Sequence, residues 1–344
     1  MTSLNKIKLT NKKILLIGGA GYIGSVLIKN FLRKNYKVKC LDALVYSQHH
    51  SIEPFLKKSN FEFILGDIRN YSQTKNLFKE ITDVIILAGL VGDPITKRYP
   101  KESKEINFIA LKNFIDECKG KKLEKVIFIS TCSNYGLINN DDKADENYTL
   151  SPLSDYAKHK VDIENYIISL KDQVDYSPTV LRFATAFGIS PRMRFDLTIN
   201  EFTRELYLKN NIVIYDANTW RPYCHVNDFV NLINKVLKSE KKKINFQIFN
   251  AGGDNNNSTK LGIVECLKKY FPESKVNFKD KGEDPRNYRV DFSKVKNVLD
   301  FEPKYTIEDG IKEIVTVLKK GKFKYPDQYG DNLGNYKINN ELIV

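Results

Sequence analysis

Tyr156 and Lys160 stand four residues apart in the stretch SDYAKHK, residues 154–160. On a helix, side chains at i and i+4 lie on one face, so a phenol and an ammonium at this spacing can act together. A tyrosine with its ordinary pKa of about 10 is a poor base at neutral pH. A cation about 5 Å away, at an effective dielectric near 20, is worth roughly 3 kcal/mol, or about two pKa units. The chemistry on offer is general acid–base catalysis at a hydroxyl. Spacing alone does not establish it: the chain has 19 Tyr and 55 Lys plus Arg, and Tyr71 and Lys75 repeat the pattern. The elements around the pair must decide.

Short β-branched runs alternate with amphipathic stretches through the first half, which predicts strands at 12–18, 37–42, 61–66, 83–89, 125–130 and 177–184. Between them lie helical patterns, notably 22–34, 101–119 and 152–171. The arrangement predicts an α/β fold with a doubly wound parallel sheet, whose ligands sit at the carboxyl ends of the strands. After Ala184 the rhythm changes. Strand-like segments at 211–216, 246–253 and 275–280 are separated by longer irregular stretches and by helices near 196–208, 227–238, 259–270 and 307–320. The expectation is a dinucleotide-binding domain over 1–184, open to completion by later segments, and a smaller mixed α/β substrate lobe over 185–344.

The first predicted strand runs into GGAGYIG, in which Gly18, Gly21 and Gly24 follow GxxGxxG spacing and Gly19, Gly21 and Gly24 follow GxGxxG. An apolar strand before it and an apolar helix after it let a pyrophosphate approach bare backbone and meet a helix N-terminus. Asp42 closes the second strand, where an acid chelates the adenine ribose hydroxyls and repels a 2′-phosphate. With no basic residue in ALVYSQ just after it, the pattern predicts NAD over NADP. Asp67 and Ile68, in GDIR after the third strand, are candidates for the adenine edge or for a plain turn.

Composition narrows the classes further. The chain has 344 residues and a formal charge of +13, yet its lysines are dispersed among Asp, Glu and Asn. That favours a solvated surface able to steer a small anion over a nucleic-acid interface. No run approaches a membrane span, and the N-terminus lacks the apolar core of a signal peptide, so a cytoplasmic location is expected. Five scattered cysteines read as reduced thiols, and the four histidines form no metal-ligand pattern.

Several ordered motifs together carry a resemblance: GGAGYIG, GDIR, LAGLVGDP, STCSNYG, YAKHK, LRFATAFGISPRMR and RPYCHVNDF. Over almost its whole length the chain resembles the extended short-chain dehydrogenase/reductases, the nucleotide-sugar epimerases, dehydratases and reductases built on a Rossmann sheet. The resemblance implies catalysis by Thr131, Tyr156 and Lys160, with hydride passing to NAD as Tyr156 takes the hydroxyl proton. Asn107 matches a helix asparagine that organises a proton path or makes a helix–helix hydrogen bond. Cofactor contacts are implied for Gly18, Gly21, Tyr22, Ile23, Gly24, Asp42, Asp67, Ile68, Leu87, Tyr156 and Lys160. Arg221 matches a diphosphate-gripping arginine, Asn200 and Arg286 fall in the nucleotide region, and Arg192 and Arg194 reach substrate or fix the lobe. His225 reads as a packed residue, and Lys281 stands where epimerases often place a second diphosphate arginine. Cys132 and Ser133 replace the acid pair with which 4,6-dehydratases expel water, which disfavours elimination.

The implied function is NAD-dependent oxidation at C4 of a nucleotide-linked sugar, as a 4-epimerase or a 4-dehydrogenase. Similarity in SPRMRFDL, RPYCHV and GEDP points to bacterial surface-polysaccharide enzymes, including those acting on GDP-heptose. The alternatives are a 4-ketosugar reductase and, from another class, a non-catalytic NAD-sensing or RNA-binding protein. The helix 101–119 carries two apolar faces, Phe108, Leu111, Ile115 and Cys118 on one and Ile106, Ile109, Ala110 and Phe114 on the other. One face can cover the sheet and leave the second for a homodimer partner.

Overall fold

The apolar runs of the first half fold as strands β1 (Lys13–Ile17), β2 (Lys37–Asp42), β3 (Phe61–Leu65), β4 (Asp83–Ile86), β5 (Lys125–Thr131) and β6 (Ser177–Phe183). They belong to a computed structural model that describes residues 12–139, 142–282, 284–323 and 333–338. The second half adds β7 (Thr185–Phe187), β8 (Ile212–Tyr215), β9 (Trp220–His225), β10 (Gln247–Ala251), β11 (Asn257–Thr259) and β12 (Val276–Lys279). Seven strands form one parallel sheet in the order β10-β6-β5-β4-β1-β2-β3. Its central strands are buried on both faces, as parallel sheets require, while the edge strand β3 is partly exposed. Ile14 and Leu16 join one apolar core with Leu27 and Phe31 of the helix Tyr22–Arg33, while Leu15 and Ile17 join another with Leu111 and Phe114.

The segment 246–253 does not stay in the smaller lobe, because β10 pairs with β6 in register from Gln247 with Thr179 to Ala251 with Phe183. Phe249 is fully buried there, which explains the exchange: the apolar edge of β6 needs covering. The lobe itself is built from a three-stranded sheet, β11-β9-β7, and a two-stranded one, β12-β8. Helices Thr198–Tyr207 and Ile307–Lys319 pack beside these sheets around Phe187, Ile199, Leu206 and Ile311.

Strand order reverses between β1 and β4, which opens a crevice at their carboxyl ends. β4 ends at Ile86, short of the expected 83–89. Beyond it Gly89 (φ +152°) and Gly92 (φ +112°) turn the chain out of the sheet. The expected single helix 101–119 is also interrupted: Pro100–Lys104 and Leu111–Glu117 are α-helical, with a π-helical stretch Glu105–Ala110 between them. The extra residue rotates the faces. Ile106, Ala110, Leu111, Phe114, Ile115 and Cys118 are all buried, drawn from both expected faces, and of the second face only Ile109 is exposed, at 44%.

Candidate active site

A cavity of about 470 Å³ lies at the crevice, walled by the glycine loop, the ends of β4, β5 and β6, and the smaller lobe. Gly18 leaves β1 with φ +79°, and a Cβ on it would stand 2.6 Å from the Ala88 backbone beyond β4. A Cβ on Gly24 would meet Gly19 O at 2.4 Å, so the helix can start tight against the loop only with glycine there. Gly21 caps the helix Tyr22–Arg33 without a side-chain bond, so no side chain takes up the amides of the first turn. Gly18, Gly21, Tyr22, Ile23 and Gly24 all line the cavity, as do Asp42, Asp67, Ile68 and Leu87. Uncapped amides facing a cavity form an anion site, so these residues fit a dinucleotide diphosphate.

The Asp42 carboxylate accepts from Ala20 N and Leu44 N, both at 2.8 Å, and from Gln48 Nε2 at 3.3 Å. Burial raises its pKa against these two backbone bonds. The oxygens are fixed: Oδ1 already accepts two bonds, and Oδ2, which accepts one, has capacity left for a ribose hydroxyl. Asp67 is tied to Arg69 at 2.8 Å, which commits its carboxylate and leaves Ile68 as the apolar surface at that rim.

Thr131, Tyr156 and Lys160 meet on the opposite wall of the same cavity. Thr131 ends β5, and its Oγ1 accepts from Ser133 N at 3.1 Å to start a turn. Ser154 caps the helix Asp155–Ser169, which brings Tyr156 and Lys160 onto the cavity side of its first turns. Lys160 is 2% exposed, and its Nζ donates to Ile129 O at 2.8 Å and lies 5.9 Å from the Tyr156 ring centre. Burial pulls the ammonium down to about 7, against the charge of Glu164 one turn on. Burial also raises the Tyr156 phenol, opposed by Arg194 and Arg286 and reinforced by Asp93. This corrects the simple electrostatic expectation. The ammonium is drawn onto a carbonyl, and the phenol is governed by desolvation, with Arg194, Asp93 and Arg286 as the charges that act on it most.

Asn107 does not line the cavity. From the π-helical stretch its Nδ2 donates to Leu90 O at 2.9 Å and its Oδ1 accepts from Leu90 N at 2.8 Å. It pins the loop after β4, and Leu90 and Gly89 of that loop do line the site. Asn107 thus makes a hydrogen bond between its helix and a loop, the alternative to a proton-path role, and reaches the site through that loop.

At the substrate end, Arg221 and Arg286 share one carboxylate. Asp284 accepts from Arg286 Nε at 2.7 Å and Nη2 at 2.8 Å, and pairs with Arg221 Nη2 at 3.0 Å. Arg286 also pairs with Asp93 at 2.9 Å and donates to Ser133 Oγ at 3.3 Å. Burial alone would raise the Asp284 carboxyl, but Arg286 and Arg221 hold it well below the usual carboxylate range. Arg194 is paired with Asp196. Asn200 is not among the residues lining the cavity: its Oδ1 accepts from Gly188 N at 3.0 Å and its Nδ2 donates to Arg194 O at 2.8 Å, which braces the lobe. Arg192 lines the cavity with its guanidinium 4.8 Å from the ring centre of Tyr46, in the loop after Asp42. His225 is fully buried between Glu313 and Tyr305, as expected of a packed residue.

Sequence reasoning missed Asp93, Asp196, Lys260, Asp284, Tyr288 and Asn335 as cavity residues. Asp93 and Asp284 each precede a proline in the GDP and EDP turns, a readable signal for loop carboxylates. Lys260 stands at the cavity where Lys281 does not, because Lys281 only donates its backbone N–H to Asp216. Asn335 and Tyr336 reach the rim from a C-terminal stretch whose sequence carries no motif. Glu164 is a further omission, buried under Lys160 and paired with Arg182 at 2.7 Å.

Comparison with known proteins agrees with this geometry. The sequence model of the NAD dependent epimerase/dehydratase family matches residues 14–252. Protein CapI of Staphylococcus aureus is 27% identical, covering 88% of this chain and 97% of its own length. UDP-glucuronate 4-epimerase of Thermodesulfobacterium geofontis is 27% identical, covering 89% and 96%. Among solved structures, UDP-glucuronic acid 4-epimerase from Bacillus cereus, in complex with UDP-glucuronic acid and NAD, is similar with a TM-score of 0.81 and 25% identity, covering 90% of this chain and 99% of that one. With the family's glycine loop, Thr131 and the Tyr156–Lys160 pair all on one cavity, this chain belongs to the NAD dependent epimerase/dehydratase family and is an NAD-dependent enzyme.

Proposed function

We propose that the enzyme oxidises the C4 hydroxyl of a nucleotide-diphosphate sugar, then either returns hydride to the opposite face as a 4-epimerase or releases the ketone as a 4-dehydrogenase. The observation that carries this reading is the convergence on one cavity of Thr131, Tyr156 and Lys160 between the glycine loop and the Arg221–Asp284–Arg286 cluster. Bound NAD supplies the hydride acceptor and a positive ring beside the phenol. Tyr156 takes the C4 hydroxyl proton, and Thr131 holds the oxygen in line by a hydrogen bond. Lys160, poised near neutrality, supplies positive charge behind the phenol. Arg221 and Lys260 offer the sugar diphosphate its guanidinium and ammonium partners.

Elimination of water is not part of the proposal. Cys132 turns its thiol inward to Arg182 O at 3.1 Å, and Ser133 is engaged by Tyr288 and Arg286, so neither presents an acid to C6. The 4-epimerase relatives support action at C4. The SPRMRFDL, RPYCHV and GEDP motifs make GDP-heptose, within surface-polysaccharide synthesis, an early compound to test. A cytoplasmic homodimer pairing the exposed side of 100–117 with a second copy completes the reading; among the described residues no helix is long and apolar enough to cross a membrane.

The test is a panel of UDP- and GDP-sugars incubated with enzyme and NAD and read by mass spectrometry and chromatography. A new isomer or a product lighter by two hydrogens is the expected result, and Tyr156→Phe should abolish it while cofactor binding persists. Turnover undiminished in Tyr156→Phe would remove the phenol from the mechanism.

A further inference from the structure

Arg192 is 1% exposed, yet it has no ion-pair partner among the described residues. The other arginines of the cavity are matched: Arg194 by Asp196, Arg221 by Asp284, and Arg286 by Asp284 and Asp93. Arg192 Nη2 donates to Gly334 O at 2.9 Å and Nη1 weakly to Met193 O at 3.4 Å, while its buried Nε has no hydrogen-bond partner. Burial and the nearby charge of Arg194 pull the guanidinium down to about 10, outweighing the more distant opposing charges of Asp196 and Asp42, neither of which forms an ion pair with it. An unpaired buried charge is costly, and a ligand anion is one way to offset the cost.

The position selects the anion. The Arg192 backbone N–H donates to Ser190 Oγ at 3.2 Å, and Ser190 Oγ in turn lies 2.6 Å from Tyr22 O and 3.0 Å from Ser25 Oγ. The loop is thus stitched to the first turn of the helix that follows the glycines, where a diphosphate would meet the amides. On its other side the guanidinium covers Tyr46, in the loop after Asp42. The C-terminal segment 333–338 holds this arrangement. Gly334 O accepts from Arg192, Leu333 O accepts from Phe195 N at 2.6 Å, and Asn335 Nδ2 donates to Val91 O at 2.9 Å across the cavity mouth.

We propose that Arg192 is the side-chain counter-charge for the diphosphate of the adenine dinucleotide, brought to the glycine-loop helix from the smaller lobe and held there by the C-terminal segment. The proposal rests on NAD binding and is independent of the sugar chemistry.

The experiment measures equilibrium binding of adenosine, ADP, ADP-ribose and 2′-AMP to the full chain and to Arg192→Gln. ADP and ADP-ribose should weaken by about tenfold or more, the loss expected for one charge-assisted contact, with adenosine unchanged. The wild-type preference for ADP over adenosine should also shrink with added salt more steeply than that of the variant. Equal weakening of adenosine and ADP would assign Arg192 a purely structural role. Unchanged ADP binding, or a loss confined to 2′-AMP, would equally overturn the proposal. Should Arg192→Gln not fold, Arg192→Lys is read on the same ligands: weakened ADP with intact adenosine supports the contact, and parallel losses refute it.

Discussion

Lys160 gives the sharpest physical prediction, because burial has separated its folded and unfolded ionisation by several units. Folded, the ammonium titrates near about 7, against 10.5 for an ordinary lysine. Between those values the unfolded chain binds the proton that the folded protein has released, so stability rises with pH across that window. The contribution is fully present above the unfolded value and is lost as pH falls through the folded one. The slope reaches about 1.4 kcal/mol per pH unit, and integrating from pH 7 to pH 9 gives about 2 kcal/mol for this one group. At 2% exposure the side chain gains little from solvent screening, so no large discount applies. The perturbation is Lys160→Met, which keeps an unbranched stem against Phe128 and removes the titrating group. Urea unfolding of both proteins at several pH values across the window gives the readout. Wild type should gain about 2 kcal/mol relative to the variant from pH 7 to pH 9, and the variant should be inactive throughout. If the two proteins change in parallel, Lys160 is not a desolvated group and its assignment near neutrality is wrong.

Three further outcomes follow from the geometry. Glu164→Gln leaves Arg182 buried without its carboxylate and should cost about 3–5 kcal/mol in chemical denaturation, whereas a near-neutral result would show that Asn134, Tyr135 and Ser130 do not depend on that charge. Gly18→Ala forces a methyl against the Ala88 backbone at positive φ, so it should weaken NAD binding at least tenfold in calorimetry; wild-type affinity would refute the tight loop. Asn107→Leu strands both Leu90 backbone groups and should cost about 1–3 kcal/mol. Turnover should fall in that variant with cofactor affinity nearly intact, and a variant as stable as wild type would mean the loop is pinned elsewhere.

The strands β1 to β6, the glycine loop and the Tyr156–Lys160 helix were legible because each is specified by local pattern: apolar runs bounded by turns, glycines at fixed offsets, a helical pattern over 152–171. The π-helical stretch at Glu105–Ala110 was not, since inserting one residue into a helical turn leaves the apolar periodicity nearly unchanged while rotating Asn107 onto Leu90. The roles of the arginines were also hidden. All lie in loops or short strands of the second half, and their type says only that each seeks an anion.

What the sequence determined by itself was the fold class, the NAD site and the pairing of a phenol with an ammonium, because these depend on contacts within one strand–turn–helix unit or one helical turn. Tertiary structure alone decided that β10 completes the sheet, that Arg192 lies over Tyr46, that Asp284 pairs with two arginines at once, and that desolvation governs the Tyr156 phenol. Each of those depends on burial or on groups far apart in the chain, and charge balance in a low-dielectric cavity is a property of the assembled walls.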